Sequence, residues 1–191
     1  MKKPDKRDDI LQSALKLLAE QGFHGAPMAR IAEYAGVGTG TIYRYFENRD
    51  VLILAVHRMI RDELTTLLLA HYPKEQAVKK RFFHIGNCII DYFIQNPLKF
   101  QYNEQFFNSP YSNEIRRNEL TKATGQHELF QELYKKGLAD QIIKKVPMVI
   151  FFDLAFAPII WAVRDHHLGF VVLDKAVSNT IVSACWDCIK L

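Results

Sequence analysis

Residues 35–46, Ala-Gly-Val-Gly-Thr-Gly-Thr-Ile-Tyr-Arg-Tyr-Phe, decide how the rest of the chain is read. Gly36 and Gly38 supply a tight turn, and the residues after them are spaced as a short helix with Ile42 and Phe46 on one side. That spacing leaves Thr39, Gly40, Tyr43 and Arg44 facing outward, with no acid between Tyr34 and Phe46. A face with one guanidinium, one phenol and small positions fits an anionic surface, so the stretch is expected to be a recognition helix in DNA.

The neighbouring segments support the same reading. From Ile10 to Gln21 the apolar residues Ile10, Leu11, Ala14, Leu15, Leu17 and Leu18 recur at helical spacing, and Gly22 is the expected stop. Pro27 is expected at the first position of a second helix, whose buried stripe is Met28, Ile31, Ala32 and Ala35. The few residues between this helix and the next require a steep crossing, which is the helix-turn-helix arrangement. Gly38 is the expected N-cap of the third helix. Gly40 within it costs about 1 kcal/mol relative to alanine, which close approach to a DNA strand or packing under the first helix would explain.

Taken together, Gly22-Phe23, Ile31 to Val37, Gly40 to Phe46 and Arg49-Asp50-Val51-Leu52 resemble the DNA-binding module of the TetR family of transcriptional regulators. The resemblance implies double-stranded operator DNA as partner. Tyr43 would meet a phosphate, Arg44 a guanine edge or a phosphate, Thr39, Gly40 and Thr41 would lie in the groove, and Arg49 would stay near the backbone. Two departures stand out: Ala26 precedes Pro27 where the family carries a hydroxyl, and Gly38 and Thr39 replace its usual serine and lysine. The second removes a positive charge from the reader.

Composition is consistent with this and excludes little. The chain has 191 residues, 49% hydrophobic and 24% charged, and a formal net charge of +4. This permits nucleic-acid binding without demanding it. Residues 1–50 carry nearly as many acids as bases, so a basic surface must come from arrangement; Lys2, Lys3, Lys6 and Arg7 form a loose basic arm that either touches phosphate or is simply solvated. Cys88, Cys185 and Cys188 define no disulfide framework. No secretory signal is visible, and the longest apolar stretch, Met148 to Val163, is short for a bilayer and contains Asp153 and Pro158. A soluble cytoplasmic protein, with no membrane partner, cofactor or metal, is expected.

Beyond the reader, the periodicity predicts an all-α chain of about nine helices: residues 1–47 as the DNA-binding domain and 48–191 as a helical effector-binding and dimerisation domain. Asn48 caps a fourth helix to about Ala70; the fifth runs from about Glu75 to Gln95, the sixth from Leu98 to Phe107, and the seventh from Ser112 to Lys136 with a kink at Gly125. An eighth extends from Val146-Pro147 to about His166, and Asp174 caps a ninth. By family analogy helices 4 to 8 enclose a pocket for a small, mainly apolar or aromatic effector. Its expected lining is Met59, Phe83, Ile90, Phe106 and Tyr134, with Asn87, Glu104, Gln105 and Trp161 as anchors. Plain core packing is the competing reading for each aromatic.

The eighth helix is apolar on nearly every side, so helices 8 and 9 are expected to form a homodimer interface through Phe152, Phe156, Ile160, Ile181 and Cys185. Asp153 has three possible places there: an exposed edge, a pair across the dimer or an anchor for a cationic ligand. His166-His167 is expected to favour the helix dipole rather than a metal. Cys185-Trp-Asp-Cys188 has redox spacing but falls inside a helix, without a preceding strand. The expectation is a ligand-released repressor on a palindromic operator, not an enzyme. The rivals are a regulator of the same fold without an effector or acting as an activator, and a thiol-dependent enzyme.

Overall fold

The computed structural model describes residues 5–113, 115 and 126–191. Among these the chain is all-α: α1 (Lys6–Gly25), α2 (Met28–Tyr34), α3 (Thr39–Tyr45), α4 (Arg49–Leu69), α5 (Val78–Gln95), α6 (Pro97–Phe107), α7 (Gln126–Ala139), α8 (Met148–His167) and α9 (Lys175–Ile189). A short helical segment at 110–113 precedes the undescribed stretch, so most of the seventh helix before Gln126, and the kink expected at Gly125, lie outside the described residues. One isolated antiparallel bridge joins Ile143 to Lys190.

Several ends are set by single residues. Asp5 caps α1 by accepting the Arg7 N–H at 3.1 Å, Asn48 accepts the Val51 N–H at 2.9 Å, and Asp174 accepts the Val177 N–H at 2.8 Å. Gly22 does not end α1 but bends it: its φ of 77° breaks the helix, which resumes to Gly25. Pro27 stands one position earlier than expected, as the N-cap of α2 rather than its first helical residue. The start of α5 moves from Glu75 to Val78, because Gln76 donates to the Pro73 carbonyl in a turn.

By contacts the chain divides into two compact units, the first of residues up to Asp62 with Pro97–Ile115, the second of Glu63–Asn96 with the residues after that point. Residues 49–62 of α4 belong to the first and 63–69 to the second. In the first unit, Ile10, Leu11, Leu18, Ile31, Ile42, Phe46, Leu52 and Ile53 form the buried centre, and α6 packs along α1. Polar ties reinforce the apolar contact: Gln105 donates to the Ala19 carbonyl at 2.6 Å, and the buried Tyr102 hydroxyl donates to the Ile53 carbonyl at 2.6 Å.

The second unit is organised on α5, which packs on α8 and α9. Gly86 makes that approach possible, since a Cβ there would lie 2.9 Å from Val182 Cγ2 and 3.3 Å from Ile159 Cδ1. Phe82 lies between the helices, its ring 5.6 Å from Phe156 and 5.5 Å from Trp186. The buried Arg81 donates to the Tyr72 hydroxyl at 2.8 Å and to Glu132 at 3.1 Å, which keeps its charge compensated. No described helix is long and apolar enough to cross a membrane.

Candidate nucleic-acid interface

The turn before α3 is built by the backbone. Gly36 adopts φ of 64°, and the Val37 N–H donates to the Ala32 carbonyl at 2.9 Å, closing α2. Gly38 then serves as N-cap with no side-chain oxygen, and its carbonyl accepts from Thr41 at 2.8 Å. Ile42 and Phe46 are buried to 0% and 1% exposure. Each contributes roughly 1.5–3 kcal/mol of burial, which holds a seven-residue helix that would be marginal alone.

With that face anchored, Thr39, Gly40, Tyr43 and Arg44 are exposed and Thr41 is half-buried. A Cβ on Gly40 would meet nothing within 4 Å, so packing under α1 does not explain this glycine. Arg49 departs from its expected place: it is half-buried and its guanidinium donates to the Phe23 carbonyl, tying α4 to the end of α1. The bend at Gly22 carries Phe23 to this position, with its ring 5.6 Å from Tyr102 and 6.0 Å from Tyr111. Asp50 accepts the Tyr111 hydroxyl at 2.6 Å, which raises the phenol above its ordinary range.

Two residues of this unit escaped the sequence reading. Tyr34 is exposed at the end of α2, and the Lys16 ammonium lies 5.1 Å from its ring centroid. Hydrogen bonding to Tyr34 is the main cause that raises the Lys16 ammonium above its usual range. Lys16, between Leu15 and Leu17, reads in sequence only as part of the polar side of an amphipathic helix, and its pairing with Tyr34 depends on how α1 and α2 cross.

The expected effector residues fall in different units. In the first, Gln105 holds Ala19 as described, Phe106 stacks face to face on His57 at 3.8 Å, and the Met59 sulfur accepts from Gln12 at 3.4 Å; Glu104 is half-buried. In the second, the Asn87 amide donates to the Phe83 carbonyl at 3.0 Å and to Asn179 at 3.2 Å. The Tyr134 hydroxyl bonds the Val146 carbonyl, and Ile90 is fully buried. Phe83, with Pro73, Gln76, Lys79 and Lys80, lines a shallow open hollow. Trp161 corrects its expected role as an inward anchor: it is 60% exposed, with the Arg164 guanidinium 4.0 Å from its ring centroid.

The dimer residues also need correction. Phe151, Ala155, Ile159 and Val163 turn α8 inward, and Phe156 follows them into the protomer core, 5.0 Å from Phe130. Cys185 is likewise buried beside Val182 and Trp186. Neither presents an outward surface, whereas Phe152, Ile160 and Ile181 are half-buried, and Ile150, Asp153 and Trp161 on α8 are exposed with Thr180 and Ala184 on α9. Asp153 therefore takes the exposed edge in the protomer. Burial pushes the Cys185 thiol up to about 11, so iodoacetamide at neutral pH is expected to label exposed Cys188 and spare Cys185, as peptide mass mapping would show. His166 Nδ1 accepts the Leu173 N–H at 3.3 Å, and His167 Nε2 is 3.0 Å from the Phe93 carbonyl; no described group of side chains has the makings of a metal site.

Residues 10–56 match the family described as "Bacterial regulatory proteins, tetR family", and residues 77–190 match "Tetracyclin repressor-like, C-terminal domain". A fatty acid metabolism regulator protein of Bacillus subtilis (strain 168) is 35% identical over 187 residues, 91% of this chain and 92% of its own. A TetR family transcription regulator from Marinobacter aquaeolei VT8 is 20% identical and shares the fold at a TM-score of 0.85, over 97% of this chain and 95% of that one. The structure of the transcriptional regulator FadR from Bacillus subtilis in complex with stearoyl-CoA, 18% identical, shares it at 0.77 over 95% and 98%.

Proposed function

This chain belongs to the TetR family of DNA-binding transcriptional regulators, and from that premise we propose that it is a dimeric repressor released from a palindromic operator by a long-chain acyl compound. The observation that carries the DNA part is the exposed, acid-free face of α3 held on buried Ile42 and Phe46. Tyr43 and Arg44 are its contacts, with Thr39, Gly40 and Thr41 small enough to let the helix enter the groove. Arg49 acts indirectly, by orienting the start of α4.

Two readers on a two-fold dimer match half-sites about one helical turn, roughly 34 Å, apart. The α8 and α9 surfaces that remain exposed supply the dimer contact, in place of Phe156 and Cys185. The acyl effector is supported by the relative that regulates fatty acid metabolism, and it narrows the mainly apolar ligand expected from the aromatic content. Release requires that effector bind one conformation better than the DNA-bound one, since only differential affinity moves an equilibrium. Because α4 runs unbroken from residue 49 to residue 69, it is the element that carries the shift.

Selection from random duplexes, followed by anisotropy titration of the enriched site, tests both parts. Paired half-sites are expected, and stearoyl-CoA is expected to weaken binding at least tenfold while free coenzyme A leaves it unchanged. Enrichment of unpaired sites would refute the dimer on DNA. Stearoyl-CoA that binds the protein without altering operator affinity would refute the effector.

A further inference from the structure

The formal charge of the whole chain is +4, and three short segments of the second unit account for all of it. Residues 72–84, 132–145 and 185–191 hold nine lysines and arginines against four acids, a surplus of five, so the rest of the chain sums to −1. The one arginine among them, Arg81, is buried and its charge is met by Glu132. At the surface this leaves eight lysines against three acids, Glu75, Asp140 and Asp187.

The fold draws the three segments together. The chain after α9 pairs with the chain after α7: Ile143 bridges Lys190, and the Lys144 N–H donates to the Ile189 carbonyl at 2.8 Å. The Lys144 ammonium donates to the Cys188 carbonyl at 2.9 Å, and Lys190 pairs with Asp187 at 2.6 Å. The start of α5 adjoins them, since Lys190 first and Lys79 after it hold the Asp187 carboxyl below its usual range. Next to that, Lys79 and Lys80 line the shallow hollow with Pro73, Gln76 and the half-buried Phe83, whose ring centroid is 5.6 Å from the Lys79 ammonium.

We propose that this lysine face docks on the surface of an anionic lipid bilayer, with Pro73 and the Phe83 ring meeting the lipid at the headgroup boundary. Every exposed cation of the three segments is a lysine, a compact hydrated charge without the fork that suits arginine to nucleic-acid recognition. Such charges add their attraction to an anionic leaflet without needing a fixed geometry. The hollow favours lipid over a phosphate backbone for the same reason: lysine stems lie along apolar surface while their heads reach outward, and a duplex offers nothing to Phe83 and Pro73. The expectation of no membrane partner rests on the want of an apolar span, which peripheral docking does not require. A long-chain acyl compound partitions into the same surface, so docking there brings the protein to the source of its proposed effector; the docking itself does not depend on that reading.

Co-sedimentation of the full chain with vesicles tests the proposal. Vesicles of phosphatidylcholine containing phosphatidylglycerol are expected to bind at least about tenfold more tightly than phosphatidylcholine alone, and the difference is expected to vanish in high salt. Lys79→Glu with Lys80→Glu, and separately Lys74→Glu with Lys145→Glu, are each expected to lose at least about tenfold of that affinity while operator affinity stays unchanged. The milder Lys79→Gln with Lys80→Gln is expected to lose less, and circular dichroism checks that every variant stays helical. Arg44→Ala, on the reader, is expected to bind vesicles as before. Equal binding to both kinds of vesicle, charge reversals that bind like the starting protein, or vesicle binding lost with Arg44→Ala would each overturn the docking. Lysine variants that lose a random-sequence duplex and keep the vesicles would assign the face to nucleic acid and overturn it as well. The response of the operator complex to stearoyl-CoA is a separate readout, so the effector reading stands or falls on its own.

Discussion

Replacing Arg44 with alanine lowers operator affinity by roughly 30-fold to 10,000-fold while leaving the fold intact. The guanidinium is exposed in the protein, so its removal exposes no core and breaks no described bond. A bidentate guanine contact is worth about 1–3 kcal/mol. Each dimer loses two copies, so about 2–6 kcal/mol disappears, which at about 1.4 kcal/mol per decade is about 1.4 to 4.3 decades and sets the order of that range.

Salt titration separates the two roles open to Arg44. A phosphate clamp removed from both readers lowers the slope of log K against log salt by about two. A base reader leaves the slope nearly unchanged and relaxes specificity at one position of each half-site. Tyr43→Phe, which deletes only a hydroxyl from a side chain 50% exposed, is expected to cost about 0.5–1.5 kcal/mol per reader and to act equally on all sequences. Unchanged affinity in both variants would remove α3 as the reader.

Phe82→Ala destabilises the second unit by about 3–5 kcal/mol, the cost of emptying a large aromatic site in a packed core. The ring is fully buried where α5, α8 and α9 meet, and its neighbours Phe156 and Trp186 belong to different helices, so the void cannot close by moving one of them. For a chain of this size that corresponds to a fall in Tm of roughly 6–20 °C. Denaturation followed by tryptophan fluorescence reads the change in this unit, which holds both Trp161 and Trp186. A shift below about 1 kcal/mol would mean that the joint of three helices repacks freely, contrary to the tight seat of Gly86 against Val182 and Ile159.

The first three helices were the most legible part of the sequence, and the reason is local. Ile42 and Phe46 are close in sequence to the groups they expose, and Gly36, Gly38, Asn48 and Asp174 mark helix ends through backbone needs that no distant contact alters. The effector and dimer residues were less legible. An aromatic such as Phe106 has the same sequence appearance whether it stacks on His57 or lines a cavity. Likewise, a helix apolar on nearly every side leaves the choice of inward face to its neighbours, and on α8 those neighbours took Phe156 in and left Trp161 out.

Helical periodicity, caps and turns thus determined by themselves an all-α chain with a helix-turn-helix reader at its start, since these depend on residues three or four positions apart. Only the tertiary structure decided that Arg49 serves Phe23 rather than solvent, that Gln105 ties α6 to α1, and that Cys185 is buried while Asp153 stays at the surface. Each of those outcomes follows from how two helices distant in sequence cross. Side-chain burial is a property of the crossing, and the spacing within either helix does not contain it.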